Sequence, residues 1–186
     1  MSKPKLGYLL FDLPADHEVE SALATECKVI ESLIHNRGMK ARVKRICVAS
    51  KERLKQYPTY RYRVQFVHLA CHGSRKGVGM LGGTMTWTSV AAQITKHLRP
   101  LSRGQKRVIV FSCCHSTDAL HATEKFLRTY FTGAYYFNAQ KVAFSKAMTI
   151  WAMFYFRKRL SKPHEAIVED INKFIGEDIL AFHSYD

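Results

Sequence analysis

The sequence has no apolar run approaching the length of a membrane-spanning helix, which removes the classes built on such helices. Its first residues, Met1 to Lys5, lead into a strand-like segment and not into an apolar stretch with a small-residue cleavage site, so no secretory leader is expected. Cysteine is sparse: five residues, at 27, 47, 71, 113 and 114, an odd number without framework spacing and without any Cys-x-x-Cys pair. That pattern predicts free thiols in a reducing cytoplasm and argues against a disulfide scaffold or a zinc ribbon. Acidic residues are short too, with 15 Asp and Glu against 29 Lys and Arg, a net charge of +14. Between Arg37 and Lys76 twelve basic residues accompany a single acid, Glu52. A basic face of that kind suits an anionic partner such as a nucleotide ligand, an acidic protein or nucleic acid. No recognised nucleic-acid-binding motif accompanies it, so direct nucleic-acid binding is not the leading expectation, and a well-solvated surface is the plainer reading. No internal repeat, low-complexity tract or linker interrupts the 186 residues, which predicts one domain spanning 1–186.

What the sequence does hold is an alternation of strand-like and helix-like segments. Lys5 to Leu13 reads as a first strand, ended by Pro14. Asp16 is placed to cap a helix whose buried face carries Val19, Ala22, Leu23, Cys27, Ile30, Leu33 and Ile34, with Gly38 as its stop. Ala41 to Val48 reads as a strand near an edge, Ser50 to Tyr57 as a short basic helix, and Arg61 to Ala70 as a third strand. Gly77, Gly79, Gly82 and Gly83 then predict a mobile loop, followed by a hairpin arm at Thr84–Thr88. Thr88 or Ser89 would cap a helix carrying Val90, Ala91, Ile94 and Leu98. Arg107 to Cys113 is the most apolar strand and so the most central. A helix over His115–Tyr130 is expected to bury Leu120, Phe126 and Leu127. A strand over Ala134–Phe137, an aromatic helix from Ser145 to Leu160 and a last helix with Ile167, Ile171, Phe174 and Ile175 complete the chain. Strands alternating with helices predict an α/β fold, a mostly parallel sheet covered on both faces.

Two of these strands end in reactive side chains. Val64-Gln-Phe-Val-His-Leu-Ala-Cys-His-Gly73 delivers His72, and Arg107-Val-Ile-Val-Phe-Ser-Cys-Cys-His-Ser116 delivers Cys114. Functional groups collect at the carboxyl ends of parallel strands because the loops there open onto a crevice. A thiol within reach of an imidazole is the minimal apparatus of a cysteine nucleophile. Free cysteine titrates near pKa ~8.5, and the imidazole takes its proton during attack. Alternation along the strand sends Cys113 and Cys114 to opposite faces, so only one can serve. Cys71 and Cys27 read as packing residues.

Val67-His-Leu-Ala-Cys-His-Gly73 resembles the histidine motif of the caspase-like cysteine peptidase superfamily, particularly its CHAT (separase-related) branch. Val110-Phe-Ser-Cys-Cys-His-Ser116 resembles the nucleophile strand of that superfamily, and its Cys-His-Ser is similar to the metacaspase motif. The order downstream, Phe131 to Phe137, a loop, then an aromatic helix with Phe154-Tyr155, follows CHAT domains. The resemblance implies a caspase-like three-layer α/β/α sandwich and a cysteine endopeptidase acting on a protein substrate without cofactor or metal. It selects Cys114 over Cys113 as nucleophile, with His72 as its partner. Backbone N–H groups of Gly73 and Cys114 are the candidate oxyanion donors, and the absence of a Cβ at Gly73 would admit the substrate backbone.

Metacaspases carry an acid two residues before the nucleophile, where it receives a basic P1 side chain (the residue preceding the cut). This chain has Ser112 there, a substrate-pocket candidate that leaves P1 open and leans toward small or polar residues. Thr117 replaces a glycine that often follows the nucleophile motif. No acidic cluster for calcium activation is apparent. Standalone proteases of this branch resemble microbial defence or cell-suicide effectors. That implies activation by a regulatory protein or a small nucleotide-like ligand. Two other readings remain open. One is a catalytically silent caspase-like binding module whose basic face engages nucleic acid or an acidic partner. The other is a zinc hydrolase built from His68, Cys71, His72, Cys113, Cys114, His115 and His121, although their spacing matches no common closed site. A Cys-x5-Arg phosphatase loop is absent at both Cys71 and Cys114.

Overall fold

The computed structural model describes residues 7–14, 22–36, 41–59, 61–157 and 162–185. The strands are β1 (Gly7–Leu13), β2 (Arg42–Cys47), β3 (Phe66–Cys71), β4 (Gly73–Ser74), β5 (Gly77–Met80), β6 (Gly83–Thr86), β7 (Val108–Ser112), β8 (Gly133–Phe137) and β9 (Leu180–Ser184). The helices are α1 (Ala22–Asn36), α2 (Lys51–Gln56), α3 (Trp87–Thr95), α4 (Ser116–Leu127), α5 (Phe144–Arg157) and α6 (His164–Ile175).

Six strands form one sheet in the order β2-β1-β3-β7-β8-β9, parallel except for the last pair. Every residue of β1, β3 and β7 is buried, as expected for strands covered on both faces. At the edge, β2 alternates exposed and half-buried residues until Ile46. One face packs Leu9, Phe11, Val67, Leu69, Ile109 and Phe111 against the apolar stripes of α3 and α4 and the buried Leu54 of α2. The other packs Tyr8, Leu10, Phe66, Val108 and Val110 against α1, α5 and α6. The result is a three-layer α/β/α sandwich.

The order reverses direction between β1 and β3: the chain leaves β1 for β2 on one side and returns to β3 on the other. Helix α1 follows β1 onto one face, and α2 follows β2 onto the opposite face. Such a reversal opens a crevice at the carboxyl ends of the strands.

Several expectations are corrected. The glycine-rich stretch is not a loop but a three-stranded antiparallel sheet, β4-β5-β6. Its glycines permit close strand approach, because a Cβ on Gly77 would stand 2.0 Å from the Met85 carbonyl oxygen. The helix expected to start at Thr88 or Ser89 is capped by Thr86, whose Oγ1 accepts from the Ser89 N–H at 3.3 Å. Phe126 and Phe174 face solvent, 43% and 64% exposed. Phe126 lies one position off the buried stripe of α4 (Leu120 and Leu127), a rotation of about 100°, and Phe174 lies in the last turn of α6, beyond the buried Ile171. Strand β3 starts at Phe66 and not at Arg61, and α4 starts at Ser116 and ends at Leu127, inside the expected limits. Strand β9 has no counterpart in the sequence reading. The cap at Asp16, the helix residue Val19 and the stop at Gly38 lie outside the described residues, as does Leu160.

Candidate active site

His72 is the first residue past β3 and Cys114 the second past β7, and these strands are hydrogen-bonded neighbours with Ala70 opposite Ser112. Register alone therefore carries both side chains to one rim. His72 is exposed and Cys114 half-buried, and both line a cavity of about 170 Å³. Its remaining walls are Glu26, Cys71, Ser112, Cys113, Phe137, Val142, Phe144 and Ala147.

Gly73 is wedged against the turn that carries Cys114. A Cβ there would lie 2.0 Å from the Cys114 carbonyl oxygen and 3.2 Å from the Cys113 Cβ. The missing side chain thus makes room for the turn after β7, a different reason from the substrate access expected of it. The turn is tight: His115 holds φ 56° and ψ 32°, the left-handed region, which costs a residue with a Cβ about 1 kcal/mol. Three contacts hold it there. The His115 N–H donates to the Gln140 carbonyl at 2.8 Å. His115 Nδ1 meets Asp118 Oδ2 at 3.1 Å. Ser116 Oγ accepts from the Phe137 N–H at 2.9 Å and donates to the Phe137 carbonyl at 3.1 Å. The Cys114 thiol points to the Val142 carbonyl, 4.0 Å away, in the segment between β8 and α5.

Beside it, Cys113 is buried with Cys71 in the core. Burial pushes the Cys113 thiol well above its ordinary value, and a hydrogen bond with Cys71 pushes it further. Burial likewise raises Cys27, and raises Cys47 to about 11, with Asp12 nearby adding to the latter shift. Ser112 Oγ accepts from the Trp151 indole N–H at 2.6 Å.

One cavity residue gave no functional signal in the sequence. Glu26, on α1, is 1% exposed. Its Oε1 lies 2.6 Å from His68 Nε2, and His68 Nδ1 lies 3.1 Å from the Tyr155 hydroxyl. The sign available in the sequence was an acid at i−4 to Ile30, on the apolar face of a helix. His68, a candidate metal ligand by composition, is thereby held in this buried chain with Trp151 edge-on at 5.7 Å. His121 is exposed on α4. Among the described residues, no group of three or more His, Cys, Asp or Glu gathers in a metal-binding arrangement.

No family model matches the sequence, and no curated protein matches it. Solved structures do. A secreted C11 cysteine protease from Bacteroides thetaiotaomicron, iotapain, superposes with a TM-score of 0.62 over 99% of this chain and 67% of that one, at 13% identity. The chain has the fold of a cysteine protease. The mostly parallel sheet flanked by helices is the caspase-like α/β architecture. Among the described residues, no helix is long and apolar enough to cross a membrane.

Proposed function

We propose that the protein is a cysteine endopeptidase of the caspase-like superfamily in which Cys114 is the nucleophile and His72 its acid–base partner. The observation that carries this reading is the shared rim: a half-buried thiol and an exposed imidazole, at the ends of neighbouring parallel strands, line one cavity. The fold shared with the C11 protease supports it. Cys113, buried with its thiol pushed up, is unsuited to the role.

In the proposed reaction, His72 takes the Cys114 thiol proton as sulfur attacks the scissile carbonyl. The tetrahedral oxyanion is met by the backbone N–H groups of Gly73 and Cys114, close together because Gly73 abuts Cys114. His72 then protonates the leaving amine. The carbon–nitrogen bond breaks to an acyl-enzyme, which water hydrolyses with His72 acting as base. Ser112 forms part of the substrate pocket. The enzyme needs no cofactor.

Within this reading the protease is a cytoplasmic effector of a microbial defence or cell-death system, in keeping with its free thiols and its CHAT- and metacaspase-like motifs. A regulatory protein or a nucleotide-like ligand activates it, and the basic surface of β2 and α2 is the receiving face. Arg42, Lys44, Arg53 and Lys55 are exposed there. Neutralising those four residues should abolish activation while leaving the cleft intact. Unchanged activity would remove the regulatory part of the reading.

The primary test is labelling by a cysteine-directed electrophile, read by mass spectrometry of the modified peptide, alongside cleavage of a bulk protein substrate. Selective labelling at Cys114 that falls about 10²–10⁴-fold in His72→Ala is expected. Slow labelling spread over the accessible thiols, with no cleavage, favours the silent binding module.

A further inference from the structure

A second cavity, of about 270 Å³, lies at the amino ends of the strands, the opposite end of the sheet from the proposed nucleophile. Residues leading into β3 and β7 wall it, among them Arg63, Gln65, Gln105, Lys106 and Arg107. Three of these are cations, and no Asp or Glu lines the cavity. None of the three has an ion-pair partner among the described residues. The walls are fixed by their own hydrogen bonds. Gln65 accepts from the Val108 N–H at its carbonyl (2.9 Å) and from the Gly7 N–H at its side chain (2.6 Å). Across from it, Gln105 closes a turn with Ser102 through bonds of 3.0 and 3.1 Å.

Arg107 is the member that a merely basic surface does not explain. It is 3% exposed, and burial lowers its pKa to about 10 from the ordinary 12.5, which still leaves it charged at neutral pH. Its Nε donates to the Val64 carbonyl, and its Nη1 donates to those of Arg99 and Tyr130. These bonds use three of the five guanidinium N–H groups, and all three acceptors are neutral. Nη2 has no hydrogen-bond partner among the described residues, yet it is not sealed from solvent. The Phe131 ring, 6.0 Å from Cζ, helps to hold the fork in place. A buried cation costs free energy unless a counter-charge meets it, and no described acid does so.

We propose that this cavity binds the phosphate group of a small phosphorylated ligand, with Arg107 Nη2 as its buried donor and the exposed Arg63 and Lys106 beside it. A phosphate end brings about two negative charges to three cations and offers three oxygens, one for each donor. A carboxylate brings one charge and two oxygens and is the poorer match. The guanidinium, already held by three carbonyls, loses little freedom when the anion arrives. No aromatic side chain lines the cavity, so a nucleotide is held there by its phosphates and not by its base. Free diphosphate and the phosphate end of a nucleotide share this chemistry. The inference does not rest on the peptidase reading, because neither His72 nor Cys114 takes part. No residue of β2 or α2 lines the cavity either, so this is a site apart from that basic face.

The test is isothermal titration calorimetry of the intact protein at constant ionic strength, with sodium pyrophosphate, ATP, adenosine and sodium acetate. Pyrophosphate and ATP should each saturate one site per chain, and adenosine and acetate should not bind. The tighter of the two phosphorylated probes identifies the source, free anion or nucleotide. Arg63→Gln with Lys106→Gln alters two exposed side chains outside any described ion pair, and should weaken pyrophosphate about 100-fold, roughly 10-fold for each. Arg53→Gln with Lys55→Gln, on α2, should bind pyrophosphate as the wild type does. Arg107→Lys should also weaken it, and circular dichroism reports whether that variant is folded; if it is not, the exposed pair decides. No saturable binding of pyrophosphate would overturn the site. Equal loss in the two double variants would make the binding a response to net charge, and loss confined to the α2 variant would move the anion to that face; each overturns the assignment. Adenosine binding as tightly as ATP would overturn recognition through phosphate. None of these outcomes bears on the reactivity of Cys114, which the electrophile labelling reads separately.

Discussion

Gly73 and Cys114 are in backbone contact: the position a Cβ would take at Gly73 is 2.0 Å from the Cys114 carbonyl oxygen. This ties the strand that delivers the imidazole to the turn that delivers the thiol. Neither can move without the other. Gly73→Ala should therefore push the two turns apart, destabilising the protein by about 2 kcal/mol and slowing electrophile labelling at Cys114. Thermal denaturation and labelling rates on the purified variant check both. A variant with wild-type melting temperature and labelling would show that the contact is slack.

The adjacent cysteines should behave oppositely. Cys113→Ala removes a core thiol that burial holds protonated, so labelling of Cys114 should persist, with a stability loss of about 1 kcal/mol. Cys114→Ala should leave the fold intact and erase the fast-labelled peptide. Peptide mapping after a short iodoacetamide pulse at pH 7.5 distinguishes the two.

His97 predicts an acid limit to stability. Its ring is fully buried near Phe11 and Tyr57, and among the described residues neither nitrogen has a hydrogen-bond partner. Burial, with Lys96 adding to it, lowers its pKa to about 4 from the ordinary 6.5. Between those values the unfolded chain binds a proton that the folded chain does not, so stability falls as pH drops from 6.5 toward 4. The loss from this group is at most about 3 kcal/mol. Urea denaturation of wild type and His97→Phe across that range should show a shallower slope for the variant. Parallel slopes would assign the acid sensitivity elsewhere.

Arg107 ties three segments together away from the cleft. Buried at the start of β7, its guanidinium donates to the carbonyls of Val64, Arg99 and Tyr130 at 2.8, 2.9 and 3.0 Å. Arg107→Met keeps the stem and strands three acceptors, which should cost about 3 kcal/mol. Arg107→Lys should recover part of that, since an ammonium reaches fewer of them. Equal midpoints for Met and Lys in chemical denaturation would show that the loss lies in packing.

The alternation of strands and helices, the edge position of β2, the interior position of β7 and the three-layer arrangement were legible in the sequence, because each follows from local apolar periodicity. So was the prospect that His72 and Cys114 share a rim, since both close apolar strands of a parallel sheet. The glycines of β5 and β6 misled because the same residue that loosens a loop also admits a second backbone at close range. Phe126 misled because hydrophobicity does not say which way a helix is turned. Strand β9 was illegible: its residues are half-buried at an edge, and only antiparallel pairing with β8 makes them a strand.

Glu26 marks the boundary between the two kinds of information. Its sequence neighbours made it one acid in a helix, separated by 42 residues from His68 and further from Ser112. The amino-acid order determined that α1 would bury one face, and therefore that an acid on that face needs a partner. Only tertiary structure decided which: the reversal of strand order between β1 and β3 leaves α1 alongside the carboxyl ends of β3 and β7. One carboxylate oxygen is then held by His68, and the residue forms part of the cleft wall. Local periodicity sets which side chains are buried, and chain topology sets which buried groups meet.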